Sequence, residues 1–205
     1  LSRIPLRSAA FPHNRRRATP ASAVTELSSE TGVEAPTRTS LRALATLVGV
    51  ALVAYGFDQL TKFLIVSTMS EGQQVDILGP VLQFHFVKNS GAAFSLASGS
   101  TWIFSLVAAG VTVFIIWYAR RIRSIAWAVL FGMLLGGTTG NLTDRLLREP
   151  SFGLGHVVDF IQVWGFPAIF NIADSFIVAS MGLFIILSLR GVRLDGRRVV
   201  RHAES

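Results

Sequence analysis

The chain has 205 residues, 51% of them hydrophobic and only 15% charged. An ordinary soluble domain carries about 25% charge, so the composition is that of an integral membrane protein. No cysteine is present, which excludes disulfides, thiolate nucleophiles and cysteine-ligated metal, and the net charge of +7 comes from cations that flank apolar runs, as membrane topology places them, rather than from a nucleic-acid surface.

Residues 1–40 are rich in Arg, Ser, Thr, Ala and Pro and have no sustained apolar period. They read as a flexible arm without the apolar core of a secretion signal. Residues 41–190 read as one four-span domain. The first span runs from about Leu41 to Val66, the second from Thr101 to Ala119, the third from Ser124 to Leu142 and the fourth from Ile172 to Leu189. Each is near the roughly 20 residues that cross a bilayer, although polar residues interrupt the first and third. Between spans one and two, Val81–Val87 alternates and is aromatic-rich, and Gly79-Pro80 before it marks a turn. The expected fold is therefore membrane α-helical: four transmembrane helices with a small extracytoplasmic β-rich element between spans one and two. Residues 191–205 form a basic tail.

Cations set the expected orientation. The arm, the loop between spans two and three, and the tail together hold fifteen, against four (Lys62, Lys88, Arg145 and Arg148) in the remaining connections and span ends. The positive-inside rule then puts both termini in the cytoplasm.

The polar residues near the spans converge on the opposite level. Asp58 and Lys62 end span one, Asn141, Asp144 and Arg145 end span three, Asp159 lies in the following connection, and Asn171 and Asp174 open span four. An Asp at mid-membrane costs about 2.5–3.5 kcal/mol, so several charged groups at one depth point to a polar cavity with a purpose. Structural roles compete for each. Asp58 and Lys62 stand four apart and suit an ion pair, Asp144 suits pairing with the neighbouring Arg145, and Asp174 suits a helix cap. Asp159 has no such partner in its apolar surroundings. Gly132, Gly136 and Gly140 recur every four residues, a spacing that suits close helix packing.

Other chemistries lack their patterns. His85 and His156 are isolated and no H-E-x-x-H occurs, so no metal site is expected. Ser95, Ser151 and Ser175 lack a nucleophile-elbow context. Asp159 and Asp174 remain, fifteen apart with Gly165 and Pro167 between them, so that a turn can bring them together. Two close carboxylates share one proton and titrate as a unit; one activates water while the other protonates the substrate. A small proton-coupled transporter or channel is the alternative, but it would want polar residues through the full depth, and spans two and four show no charged group in their inner halves.

Five stretches in order, "DQLTK" (Asp58–Lys62), "NSGAAFS" (Asn89–Ser95), "GGTTGNLTDR" (Gly136–Arg145), "HVVDF" (His156–Phe160) and "FNIAD" (Phe170–Asp174), resemble the motifs of lipoprotein signal peptidase, signal peptidase II. The resemblance covers about residues 45–190. It implies a bacterial inner-membrane aspartyl endopeptidase that needs no cofactor. Such an enzyme cleaves diacylglyceryl-modified prolipoproteins before the lipidated cysteine, with its site toward the outer leaflet. It further implies that Asp159 and Asp174 are the catalytic dyad, and that Asn89, Gly91, Asn141, Arg145, Asn171 and Ala173, with Asp58 and Lys62, line or support the site. Expected partners are prolipoprotein substrates and membrane lipid, with no nucleic acid, and the chain is expected to be a monomer. The arm before residue 41 departs from the family pattern without touching these motifs.

Overall fold

The computed structural model describes residues 40–91 and 101–196. The expectations for the arm, for Ser95 and most of the "NSGAAFS" stretch, and for the end of the tail fall outside the described residues.

Among the described residues four helices are long and apolar enough to cross a membrane: α1 (Leu41–Thr68), α2 (Thr101–Tyr118, continued by a 3-10 turn to Arg121), α3 (Ile125–Leu147) and α4 (Ile172–Leu189). Along α1, α2 and α4 large apolar side chains point outward, as in Leu52, Phe63, Val113, Ile116 and Ile185, which suits lipid as solvent. The buried stripe of α1 is instead small or polar. Ala43, Leu47, Ala51, Ala54, Asp58, Lys62 and Ile65 follow one another at steps of three and four, the period of one helix face.

That stripe packs on α3, the central helix, which contacts all three others. The glycine spacing makes this possible. A Cβ on Gly132 would lie 2.7 Å from the Leu47 carbonyl oxygen, and one on Gly136 would lie 2.6 Å from that of Ala51. Gly137 serves the other side, where a Cβ would meet the Ala173 carbonyl oxygen at 2.6 Å. Helix α3 runs to Leu147, five residues beyond the expected end at Leu142. The polar residues there do not break it. Thr143 hydrogen-bonds back to the Thr139 carbonyl, and Asp144 and Arg145 turn inward and are buried.

The sheet has three antiparallel strands in the order β1 (Gln74–Asp76), β2 (Leu82–Asn89), β3 (Val157–Val163). Strands β1 and β2 lie between spans one and two as expected, on either side of the Gly79-Pro80 turn. The third strand comes from the connection between spans three and four, the segment that holds Asp159. Its run of Val, Phe and Ile is ordinary strand composition. Phe86, Val158 and Phe160 pack on Ile65 and so fasten the sheet to the end of α1, with Phe84 and Phe160 edge to face at 5.7 Å.

At the opposite end of the bundle, Ala43, Leu47, Ala119, Ile122, Trp127, Ala128, Leu130 and Leu187 form an apolar core. The described part of the tail returns over it. The Arg123 and Ser124 amides both donate to the Leu194 carbonyl, and Trp127 Nε1 donates to that of Val192.

Candidate active site

Three elements meet where the sheet joins the bundle. After β3 the chain turns at Gly165, whose φ of +76° suits glycine, and comes back so that Phe170 bridges to Ile161 antiparallel to it. The Phe170 amide donates to the Ile161 carbonyl at 3.0 Å, and the Ile161 amide donates to the Phe170 carbonyl at 2.7 Å. This return sets the start of α4 beside the middle of β3, and with it Asn171 and Asp174 beside Asp159.

Asn171 links the two carboxyl groups. Its Nδ2 donates to Asp159 Oδ1 at 2.7 Å. Its backbone amide donates to Asp174 Oδ2 at 3.2 Å, while its Oδ1 accepts from the Asp174 amide at 3.0 Å. The last two bonds form a capping box at the start of α4. Asp174 therefore has the helix-capping place its position suggested and also stands in the site. From the other sides, Asn89 Nδ2 donates to Asp159 Oδ2 at 2.7 Å, and Asn141 Nδ2 donates to Asp174 Oδ1 at 2.8 Å. All four carboxyl oxygens are thus held, one by each of four N–H groups from three side-chain amides and one backbone amide.

Asp159 is buried and Asp174 half-buried. Burial pushes the Asp159 carboxyl up to about 6 from 3.8, and the charge of Asp174 pushes the same way. The hydrogen bonds from Asn89 and Asn171 and the charge of Lys62 hold it down.

A second layer lies beneath this pair. Lys62, fully buried, reaches Asp58 Oδ2 at 2.8 Å, Asp144 Oδ2 at 2.9 Å and Asn141 Oδ1 at 2.9 Å. All three ammonium donors are used. Asp58 accepts the Ala173 amide at 2.9 Å on its other oxygen and so ties α1 to the first turn of α4. Gly140 leaves room for Asp58, since a Cβ there would overlap Asp58 Oδ2.

Asp144 has different partners from the one its sequence neighbour suggested. It pairs with Lys62 and, at 2.6 Å, with Arg148 Nε, and it accepts the Val158 amide at 3.2 Å. Adjacent residues on a helix point about 100° apart, whereas Arg148 stands one turn on and shares the face of Asp144. Arg145 turns elsewhere. Its guanidinium lies 5.3 Å from the centre of the Phe104 ring, and its Nη1 is buried with no hydrogen-bond partner among the described residues. Gly91, at φ +89°, leaves space for that arrangement, because a Cβ would lie 2.7 Å from the Phe104 ring; its amide donates to Asn89 Oδ1 at 2.7 Å.

Asp58, Lys62, Asn89, Gly91, Asn141, Asp144, Arg145, Asp159, Asn171, Ala173 and Asp174 thus lie in or against one connected network. Two members were not anticipated. Arg148 was legible as the i+4 partner of Asp144. Gln59, which bridges Asp58 Oδ2 and the Gly140 carbonyl, carried no signal beyond its place in "DQLTK". Among the described residues no three His, Asp or Glu side chains converge as metal ligands would.

A sequence model of the family described as signal peptidase (SPase) II matches residues 50–190. The chain belongs to the signal peptidase II family. It is 66% identical over 162 residues to the lipoprotein signal peptidase of Leifsonia xyli, covering 79% of this chain and 75% of that one. With the lipoprotein signal peptidase of Mycobacterium avium it shares 45% over 170 residues, covering 82% and 93%. The fold is similar to that of a bacterial membrane enzyme solved by the in meso method at 2.3 Å, with a TM-score of 0.65 and 27% identity, covering 82% of this chain and all of that one. A second such structure, solved at 1.9 Å, gives the same TM-score at 28% identity, covering 76% and 99%. As a signal peptidase II family member with four membrane-spanning helices, the chain is a multi-pass bacterial membrane peptidase. The transporter reading finds no support.

Proposed function

We propose that the chain, through a peptidase domain over residues 41–190, is an aspartic endopeptidase that cleaves lipid-modified prolipoproteins, with Asp159 and Asp174 as its catalytic pair. One observation carries this reading: a single residue, Asn171, is hydrogen-bonded to both carboxyl groups, one of which burial has pushed up to about 6. The charge of Asp174 raises the Asp159 carboxyl further, so the two titrate as a coupled pair in which one member holds a proton while the other is ionised. The ionised member takes a proton from water, and the resulting hydroxide attacks the scissile carbonyl carbon. The protonated member gives its proton to the carbonyl oxygen. As the tetrahedral gem-diol collapses, one carboxyl gives its proton to the leaving nitrogen and a hydroxyl of the intermediate returns a proton to the other, so the C–N bond breaks and the pair regains its single proton. Asp159, whose carboxyl burial has pushed up to about 6, is the member that holds the proton at the start.

Arg145 suits a role in holding substrate. Its Nη1 has no hydrogen-bond partner among the described residues, and an oxygen of the bound peptide or its lipid would satisfy it. The position of the pair at one end of the bundle fits a substrate cut at the membrane surface. The fifteen-to-four cation split supports placing that end outside, toward the outer leaflet, with both termini in the cytoplasm. Nothing in the reading requires a second copy of the chain.

Turnover of a diacylglyceryl-modified precursor by purified variants tests the pair. Asp159→Asn and Asp174→Asn each keep the shape but can neither accept nor hold the proton, and each lowers turnover by roughly 10²–10⁴-fold while the protein stays folded. Near-normal turnover by either variant removes that residue from the mechanism. Cysteines placed at Gln73 and Arg193 test the orientation; labelling of both from the same side would reject it.

A further inference from the structure

Behind the sheet lies a cavity of about 270 Å³, which shares Arg148 and Val158 with the layer beneath the carboxyl pair but is lined by neither Asp159 nor Asp174. Strand alternation separates the cavity from that pair. Lys88 pairs with Val158 across β2 and β3, and each is next in sequence to a residue of the site, Asn89 and Asp159, whose side chain leaves from the other face.

The cavity has an apolar wall and a charged rim. Val66, Leu147 and Val158 form the wall, and Lys88, Arg148, Glu149 and His156 form the rim. Val66 belongs to the last turn of α1, and Leu147 is the last residue of α3. Both side chains are exposed. Their helices are long and apolar enough to span a membrane, so this shared end lies where hydrocarbon gives way to headgroups.

The charges of Lys88 and Glu149 are only loosely committed. Lys88 lies 3.5 Å from Glu71 and 3.6 Å from Glu149, whose side chains are 55% and 87% exposed. Pairs of that kind contribute little and give way to a better-placed anion. Arg148 meets Asp144 through Nε, which leaves its terminal nitrogens as donors for a second oxyanion. Glu149 is the one acid on the rim, against two permanent cations.

We propose that this cavity binds the phosphate-bearing headgroup of an anionic phospholipid, with Lys88 and Arg148 on the headgroup and an acyl chain against Val66 and Leu147. Free phosphate would use the rim but has no use for the apolar wall.

The test is lipid retention by the purified full chain in native mass spectrometry, comparing phosphatidylglycerol with phosphatidylcholine of the same acyl chains. It needs no substrate, so its result is independent of the roles given to Asp159 and Asp174. The wild type retains phosphatidylglycerol in preference. Lys88→Gln weakens that retention about fivefold, the usual contribution of one basic residue near a membrane surface, and Lys88→Arg restores it. Glu149→Gln, at an exposed carboxylate, strengthens retention and decides the matter should Lys88→Gln fail to fold. Equal retention of the two lipids by the wild type overturns the proposal, as does a preference that neither substitution alters. Displacement of the lipid by equimolar inorganic phosphate also overturns it, since the site would then be one for a free anion.

Discussion

The two ends of the bundle use the same helices in opposite ways. At the tail end, Leu47 of α1, Ala128 and Leu130 of α3 and Leu187 of α4 meet through apolar surface alone. At the sheet end, those helices meet through Asp58, Lys62, Asn141, Asp144 and Asn171, every one of them hydrogen-bonded or ion-paired to another element. Packing of the first kind holds helices together but is indifferent to small shifts and tolerates exchange at constant volume. The second kind is costly to bury and holds only when each group finds its partner at the right distance. The contrast separates two tasks: apolar contact suffices to assemble the spans, and the polar network fixes where particular atoms stand.

The largest effect that sharpens this contrast is expected from Lys62→Met. It leaves Asp58 and Asp144 facing each other without their shared cation and costs about 3–5 kcal/mol, the usual penalty for breaking a buried pair from one side. Thermal unfolding in detergent measures it, and turnover should fall as well because Asn141 loses a partner. Asp144→Asn should cost less, keeping Lys62 with Asp58 while weakening the hold on Arg148. A variant of normal stability but without turnover would show Asp144 to be more than a counter-ion.

At the tail end, Leu130→Ala should cost about 2–5 kcal/mol, as buried leucines do, with turnover per folded molecule unchanged. A loss of turnover without loss of stability there would break the comparison, because the apolar end would then be placing reactive atoms too.

The smallest effect is a shift in pH dependence. Since the pair needs one proton, kcat/KM should fall as pH rises through about 6, the value to which burial pushes Asp159. The Asn89 amide favours the ionised form, so Asn89→Ala should move that fall to higher pH. Stability follows the same sign. A carboxyl raised from 3.8 to about 6 by folding stabilises the folded state fully below about 4, and that contribution is lost as pH rises through about 6. A kcat/KM limb that stays in place in Asn89→Ala would detach Asp159 from the profile.

Much of this was legible in the sequence, for identifiable reasons. The apolar period and length of each span fixed four helices, and α4 begins and ends at the expected residues, Ile172 and Leu189. Convergence of the polar residues could be read because each stands at a span end, where depth follows from the count of residues. What could not be read was side-chain direction. Asp144 was assigned to Arg145 because chain neighbours are visible in a sequence, whereas the reach of Lys62 across from α1 depends on how α1 and α3 are rotated. The strand around Asp159 was missed for a related reason. A carboxylate within Val157–Val163 hides the strand composition around it, and the Asn89 and Asn171 amides that hold it come into view only once β3 lies beside β2 and the start of α4.

The capping box at Asn171–Asp174 bears on how a ligand would meet this site. Both Asp174 oxygens are already bonded, one to Asn141 and the other to the first turn of its own helix. Rotating the carboxylate would uncap α4, so the group does not swing to follow an incoming molecule. The reorganisation that water would need around a new charge has been completed by folding. A tight binder is then one already shaped to a fixed pair of carboxylates, and added flexibility in such a molecule would cost it entropy with no compensating adjustment from the protein.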